Sequence, residues 1–248
     1  MRQRWQPLCS GLVKMFRIND IAGCFEPAFG KLVSIKTPLI VLGGVSGVGK
    51  TSVSWLLRQR LPTLHFIRTT TTRPPRGIKS EDIHYRFVAQ ETFNTWQAAR
   101  EFLCFTVWAG NGQGYGLAKS ELPTADAPYL RLFASTYFGA ALKAQSPHKV
   151  LHLWLACSDS GVLERRLRHR LASDDSELER RCSTAVAEQA YVLQHKKQLL
   201  AQNKIDRVID TTYRSVEKVS QVVEEEIARF LWAANFSPAE AKPNWRMR

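Results

Sequence analysis

From Pro38 onward the apolar positions fall into short runs separated by amphipathic stretches. Residues 39–42, Leu-Ile-Val-Leu, form an unbroken apolar run closing on glycines, the pattern of a parallel strand covered on both faces. A helical segment follows from about 49 to 61, and Pro62 stops it. Residues 65–68 read as a second strand, while 84–88 and 102–108 read as short strands flanking a helix near 92–99. Strands at 129–134 and 150–156 are each followed by a helix. A long helix at 176–201, a last strand at 207–210 and a closing helix at 215–232 complete the pattern. This alternation predicts an α/β fold with a mostly parallel five-stranded sheet flanked by helices.

The ends differ from this core. Residues 1–36 show no sustained period and carry Arg2, Arg4, Lys14, Arg17, Lys31 and Lys36 against Asp20 and Glu26. They read as a basic N-terminal extension; a basic presequence or a lipid-facing helix is the alternative. The expected domain is 37–232, followed by a flexible tail at 233–248. Across the 248 residues, Lys and Arg number 35 and Asp and Glu 22, a formal charge of +13 that favours an anionic partner. The five cysteines are odd in number and scattered, with no Cys-x-x-Cys pair, which favours a reducing, cytoplasmic setting over a zinc site. No apolar run reaches the ~20 residues that span a bilayer, so no membrane partner is expected.

Candidate chemistry begins at Gly44-Val45-Ser46-Gly47-Val48-Gly49-Lys50-Thr51, a complete G-x-x-x-x-G-K-T between a strand and a helix. Its glycines let backbone N–H groups turn inward around a phosphate, at the positive end of the following helix. The spacing predicts ATP binding, with Lys50 reaching the β- and γ-phosphates and the Thr51 hydroxyl coordinating Mg²⁺. The bland alternative is a glycine-rich turn. A second stretch, Thr69-Thr70-Thr71-Thr72-Arg73-Pro74-Pro75-Arg76, holds two arginines three apart in a proline-stiffened loop, suited to a phosphate dianion or simply to solvent.

Together with Tyr85, these motifs resemble the guanylate kinase family over roughly residues 38–230. The resemblance implies a P-loop kinase fold with a small acceptor-binding β insertion at about 69–122 and a helical lid at about 164–182. It implies that Thr69, Arg73, Arg76 and Tyr85 hold the acceptor phosphate. Residues 163–170 resemble the family's arginine-rich lid and Arg180-Arg181 follows, so Arg166, Arg170 and Arg181 would close on the triphosphate; a solvated helix face would look alike.

Three departures bear on the acceptor. The family's Glu-Phe-Leu-Glu, whose second Glu accepts from guanine, is Glu101-Phe102-Leu103-Cys104 here. Its Asp-x-Asp-x-Gln-Gly aligns with residues 134–139, which lack both acids, and its hydroxyl residue after Tyr-Gly is Leu117. Residues 108–117, Trp-Ala-Gly-Asn-Gly-Gln-Gly-Tyr-Gly-Leu, resemble instead an element of ribose 1,5-bisphosphate phosphokinase, adding Tyr115 and Ser135 to the substrate-binding set. Against that, this family's loop lacks the second arginine and its phosphate loop ends Lys-Asp.

A phosphate acceptor arrives ionised and needs no base; the difficulty is charge repulsion, which arginines relieve. Asp82, Asp159 and Asp210 are candidates for ordering metal-bound water, or are caps. His84 and Cys104 read as packing residues. The leading expectation is a Mg·ATP-dependent kinase for a small phosphorylated metabolite, ribose 1,5-bisphosphate first, forming 5-phosphoribosyl 1-diphosphate and ADP. The alternatives are a guanylate kinase, in which Cys104→Glu should raise GMP activity, and a non-catalytic guanylate-kinase-like binding module. Nucleic acid ranks last, for want of a stacking module or recognition helix. Oligomeric state is left open by the sequence.

Overall fold

The computed structural model describes residues 38–61, 64–75, 77, 82–107, 112–122, 131–135, 138–145, 149–170 and 175–233. In chain order its elements are β1 (Leu39–Gly43), α1 (Lys50–Arg60), β2 (His65–Ile67), β3 (Thr69–Thr71), β4 (Tyr85–Phe87), α2 (Gln90–Ala98), β5 (Phe102–Val107), β6 (Gly114–Ala118), β7 (Arg131–Ala134), α3 (Gly139–Gln145), β8 (Val150–Ala156), α4 (Ser160–Arg170), α5 (Asp175–Gln194), α6 (Lys196–Ala201), β9 (Arg207–Asp210) and α7 (Val216–Ala233).

Five strands form one sheet in the order β2-β7-β1-β8-β9, every neighbouring pair parallel. The apolar run of β1 is buried along its whole length because both faces are covered. Ile40 and Leu42 point into a core with Val53 and Leu57 of α1, Leu163 and Leu167 of α4 and Val223 and Ile227 of α7. Leu39 and Val41 point the other way, into a smaller core with Ile67, Phe133, Phe138, Leu142 and Val150. Each such fully buried side chain contributes roughly 1.5–3 kcal/mol, so the two-sided burial holds the end of β1 rigidly where the phosphate motif begins.

A second sheet, ordered β4-β3-β6-β5, has β3 parallel to β4 and β6 antiparallel to both β3 and β5. Phe93 of α2 caps it, its ring 4.6 Å from Phe102. Only Arg68 separates β2 of the first sheet from β3 of the second. That residue makes two hydrogen bonds to the buried Glu121 carboxylate, at 3.1 and 3.0 Å, and Arg86 stands 3.6 Å from the same group. The pair ties together two of the crossings between the sheets, since Glu121 closes the turn after β6.

Two expectations change. Residues 69–71, read as loop, form β3 at the centre of the second sheet, where three β-branched threonines suit a pleated surface. The single helix foreseen at 176–201 is two, α5 and α6, because the backbone departs from helical geometry at His195 (φ −98°, ψ 10°), whose ring stacks on Tyr191 at 4.1 Å. The N-terminal extension and the tail beyond Ala233 lie outside the described residues. Among the described residues no helix is long and apolar enough to cross a membrane.

Candidate active site

The turn after β1 takes backbone conformations that favour glycine: Gly44 has φ +141°, Gly47 +84° and Gly49 +98°. At Gly44 a Cβ would stand 2.7 Å from the Leu155 carbonyl, and at Gly47 2.9 Å from Leu167 Cγ of α4. Val45 and Val48 are buried between these glycines and pin the turn to the core. α1 then starts without a side-chain cap and without an acid in its first turn. Its first N–H groups and the positive end of the helix dipole are thus left for an anion. Lys50 Nζ folds back and donates to the carbonyls of Gly44 (2.5 Å) and Val45 (2.9 Å).

A cleft of about 790 Å³ opens over this turn. Its floor is Val45 to Thr51. It extends to Thr69, Tyr85 and Tyr115 of the second sheet and to Ser135 and Phe138 after β7, and past Arg166, Arg180, Arg181 and Arg214 on the other side. The phosphate turn therefore shares one cavity with Thr69, Tyr85, Tyr115 and Ser135 of the residues foreseen for the acceptor. Lys50 and these four arginines face Glu188 and Glu217, which leaves the cleft strongly cationic. Ser135 is held by its own N–H to Leu42 O (3.2 Å) and by Phe138 N–H to its Oγ (3.2 Å). The Tyr115 hydroxyl donates to Gln113 (3.2 Å).

The lid arginines divide. Arg166 lines the cleft, its guanidinium donating to Thr211 Oγ1 (3.1 Å), Thr211 O (2.7 Å) and Thr212 O (2.9 Å). Arg168 is the solvated-face kind, paired with Glu164 at 2.7 Å. The Arg170 side chain and all of Arg76 lie outside the described residues. Arg73 is buried against Tyr85 and is not among the residues lining the cleft. Its guanidinium sits 4.7 Å from the Tyr85 ring and 5.2 Å from Phe87, donates to Pro74 O (2.7 Å) and stands 3.6 Å from Asp82. Cation–π attraction and the Asp82 charge offset the cost of its burial.

The three aspartates proposed for metal-bound water serve the fold. Asp82 pairs with Arg73 and accepts from Gly77 N–H (3.0 Å). Asp159 caps α4 through Gly161 and Val162 N–H and accepts from Tyr213 (2.6 Å), a bond that holds its pKa below the usual value. Burial pushes the Asp210 pKa up, but hydrogen bonds from Thr212 and Ser158 outweigh that and leave it lowered. Among the described residues no cluster of three His, Cys, Asp or Glu could hold a metal ion. The Thr51 hydroxyl, in the cleft at the start of α1, still fits Mg²⁺, which keeps water and substrate phosphates as most of its ligands.

Cys104 is also placed. It is 1% exposed in the smaller core, beside Leu39, Val41 and Leu117, and burial pushes its thiol pKa far up. It is absent from the cleft lining, so the thiol contacts no acceptor there. Leu117 is likewise buried in the core, whereas Ala134 and Ser135 do reach the cleft. His84 is buried with its ring 5.8 Å from Phe66, as a packing residue should be.

Arg180, Arg214 and Glu188 line the cleft without having been singled out as site residues. Glu188 stands seven residues after Arg181, two turns along one helix face, and that spacing is the signal which could have found it. It is 7% exposed; burial raises its carboxyl pKa to about 7, with the Lys50 ammonium pulling the other way.

Comparison with known proteins agrees with this geometry. The family model for guanylate kinase matches residues 36–222. The guanylate kinase of Anaeromyxobacter dehalogenans is 37% identical over 155 residues, 61% of this chain and 67% of that protein. That of Synechocystis is 30% identical over 193 residues, covering 78% of this chain and 96% of its own. Among solved structures, a guanylate kinase from Anaplasma phagocytophilum aligns over 81% of this chain and 89% of its own, with a TM-score of 0.55 at 16% identity, a likeness of fold. With a matched family model over most of its length and a phosphate-binding turn opening onto a shared cationic cleft, this chain belongs to the guanylate kinase family of P-loop kinases.

Proposed function

We propose that this chain is a nucleoside monophosphate kinase, transferring the γ-phosphoryl group of Mg·ATP to the phosphate of GMP. The observation that carries the reading is the single cleft joining the Val45–Thr51 turn to Thr69, Tyr85, Tyr115 and Ser135. An ionised oxygen of the acceptor phosphate attacks the γ-phosphorus while the bond to the bridging oxygen of ADP breaks, and ADP leaves with that electron pair. No general base is required, which suits a site whose nearby aspartates are occupied as caps and ion pairs. Two unit charges ~4 Å apart repel by about 4 kcal/mol at an intermediate effective dielectric, and several such pairs meet here. Lys50 exchanges the Gly44 and Val45 carbonyls for phosphate oxygens, and Arg166, Arg180 and Arg181 close over the charge that remains. The Thr51 hydroxyl would hold Mg²⁺, which would supply positive charge to offset that of the phosphates.

The guanylate kinase relatives support GMP as acceptor, the second expectation from the sequence, over ribose 1,5-bisphosphate, the first. With Cys104 in the core, recognition of the base falls to other groups of the cleft, among which Thr69, Tyr115 and Ser135 offer hydroxyls. The test is ADP release with GMP, dGMP, AMP and ribose 1,5-bisphosphate as acceptors. GMP should give the highest kcat/KM. Turnover of ribose 1,5-bisphosphate without turnover of GMP overturns the acceptor, and failure to bind Mg·ATP overturns the kinase.

A further inference from the structure

One wall of the cleft is a single stripe of α5. Arg181, Thr184, Ala185 and Glu188 recur at three- and four-residue spacings and all face the cavity. The stripe changes sign along its length, with arginine in the second turn of the helix and a carboxyl two turns further on. Glu188 is nearly inaccessible to water, and the opposite charge acting on it is Lys50, the cation of the phosphate turn. A carboxyl so deep in a site built for polyanions needs a reason. A triphosphate entering the turn would bring several negative charges toward it.

We propose that Glu188 is a positioning residue for Lys50: above neutral pH its carboxylate faces the ammonium in the free protein, and it takes up one proton from solvent when the triphosphate binds. In the free protein the Gly44 and Val45 carbonyls hold the ammonium from the loop side, and the carboxylate attracts it across the cleft that both side chains line. On binding, the ammonium turns to the phosphates; the carboxylate loses its partner and faces anions, and protonation to the neutral acid removes that repulsion. The other charged groups lining the cavity are Arg166 from α4, Arg180 and Arg181 in the second turn of α5, and Arg214 and Glu217 before and within α7. The carboxyl is close to balance between its two forms near neutral pH, so a modest change in the neighbouring charge tips it.

The inference rests on Mg·ATP as the donor. Calorimetric titration with Mg·ATP at pH 8, without acceptor and in buffers of different ionisation enthalpy, measures the protons taken up on binding. Protons exchanged by the ligand itself enter the wild-type and Glu188→Gln values alike, so the difference reports Glu188. The wild type should take up close to one proton more than E188Q. Its affinity should also fall with rising pH above about 7, by up to tenfold per pH unit, while that of E188Q stays level. Equal uptake in the two proteins, with binding intact, overturns the inference and leaves the kinase reading standing. Absence of binding at any pH overturns both. If E188Q does not fold, Glu188→Leu supplies the neutral comparison with the same two outcomes.

Discussion

Replacing Cys104 with glutamate separates a side chain that faces the acceptor from one that faces the core. Were the position part of the base pocket, a carboxylate there would raise GMP turnover. The structure puts it among Leu39, Val41, Ile67, Phe133 and Phe138 instead. Glutamate is larger than cysteine, and overpacking such a core costs about 1–3 kcal/mol. The charge adds more. A buried carboxyl stays protonated up to about pH 8–9, and holding one protonated at pH 7, against an ordinary value near 4.3, costs about 4 kcal/mol. The sign follows from linkage: the folded state binds the proton more tightly, so the penalty begins above the unfolded pKa and grows with pH. At pH 5 the electrostatic part should shrink to about 1 kcal/mol. Urea unfolding of C104E and wild type at pH 5 and 7 measures both, alongside GMP turnover. The stability gap should widen by about 3 kcal/mol between the two pH values, with no gain in activity. A variant as stable as wild type at pH 7, with faster GMP turnover, would refute the placement of Cys104.

The remaining predictions concern the phosphate turn and the buried histidine. Gly47→Ala should lower Tm by about 3–8 °C, from a left-handed backbone strain of about 1–2 kcal/mol, and raise the KM for ATP because the new methyl displaces α4 and Arg166 with it. A thermal melt and ATP kinetics check this, and an unchanged Tm with an unchanged KM would contradict it. His152 is fully buried against Gly43 and Gly139; burial lowers its pKa to about 4, only partly offset by its bond to the Lys204 carbonyl and by Asp206. The unfolded chain therefore binds the extra proton first. The stability contribution is whole above pH 6.5 and is lost as pH falls toward 4, on the order of 3 kcal/mol at the low end. His152→Gln should flatten that acid limb in urea melts between pH 4.5 and 7.

What was readable in the chain and what was not divide along physical lines. The β1 strand, the glycine turn and α1 were legible because their signals are local: an apolar run, glycines at fixed offsets, a lysine and a threonine at a helix start. The parallel sheet followed from alternating strands and helices, since parallel neighbours require crossovers. The lid resemblance named Arg166 and passed over Arg168, and α4 turns Arg168 to solvent and Arg166 to the Thr211 carbonyl, a difference that docking of the helix sets.

The acceptor side depended on contacts between distant residues. Pairing of Thr69 with Tyr85 and of Thr71 with Phe87 brings two aromatic rings beside Arg73, whose guanidinium packs against both. An irregularity in the β5–β6 register between Phe102 and Cys104 buries Phe102, Leu103 and Cys104 in succession, where strict alternation would have turned one outward. Glu188 gained its place only when folding brought α5 to the wall of the cleft that Lys50 lines, far away in sequence. Backbone signals over a few residues were enough for the triphosphate turn, because the ligand there is held largely by main-chain N–H groups. The acceptor site is made of side chains, and which way a side chain points is decided by partners that folding alone brings near.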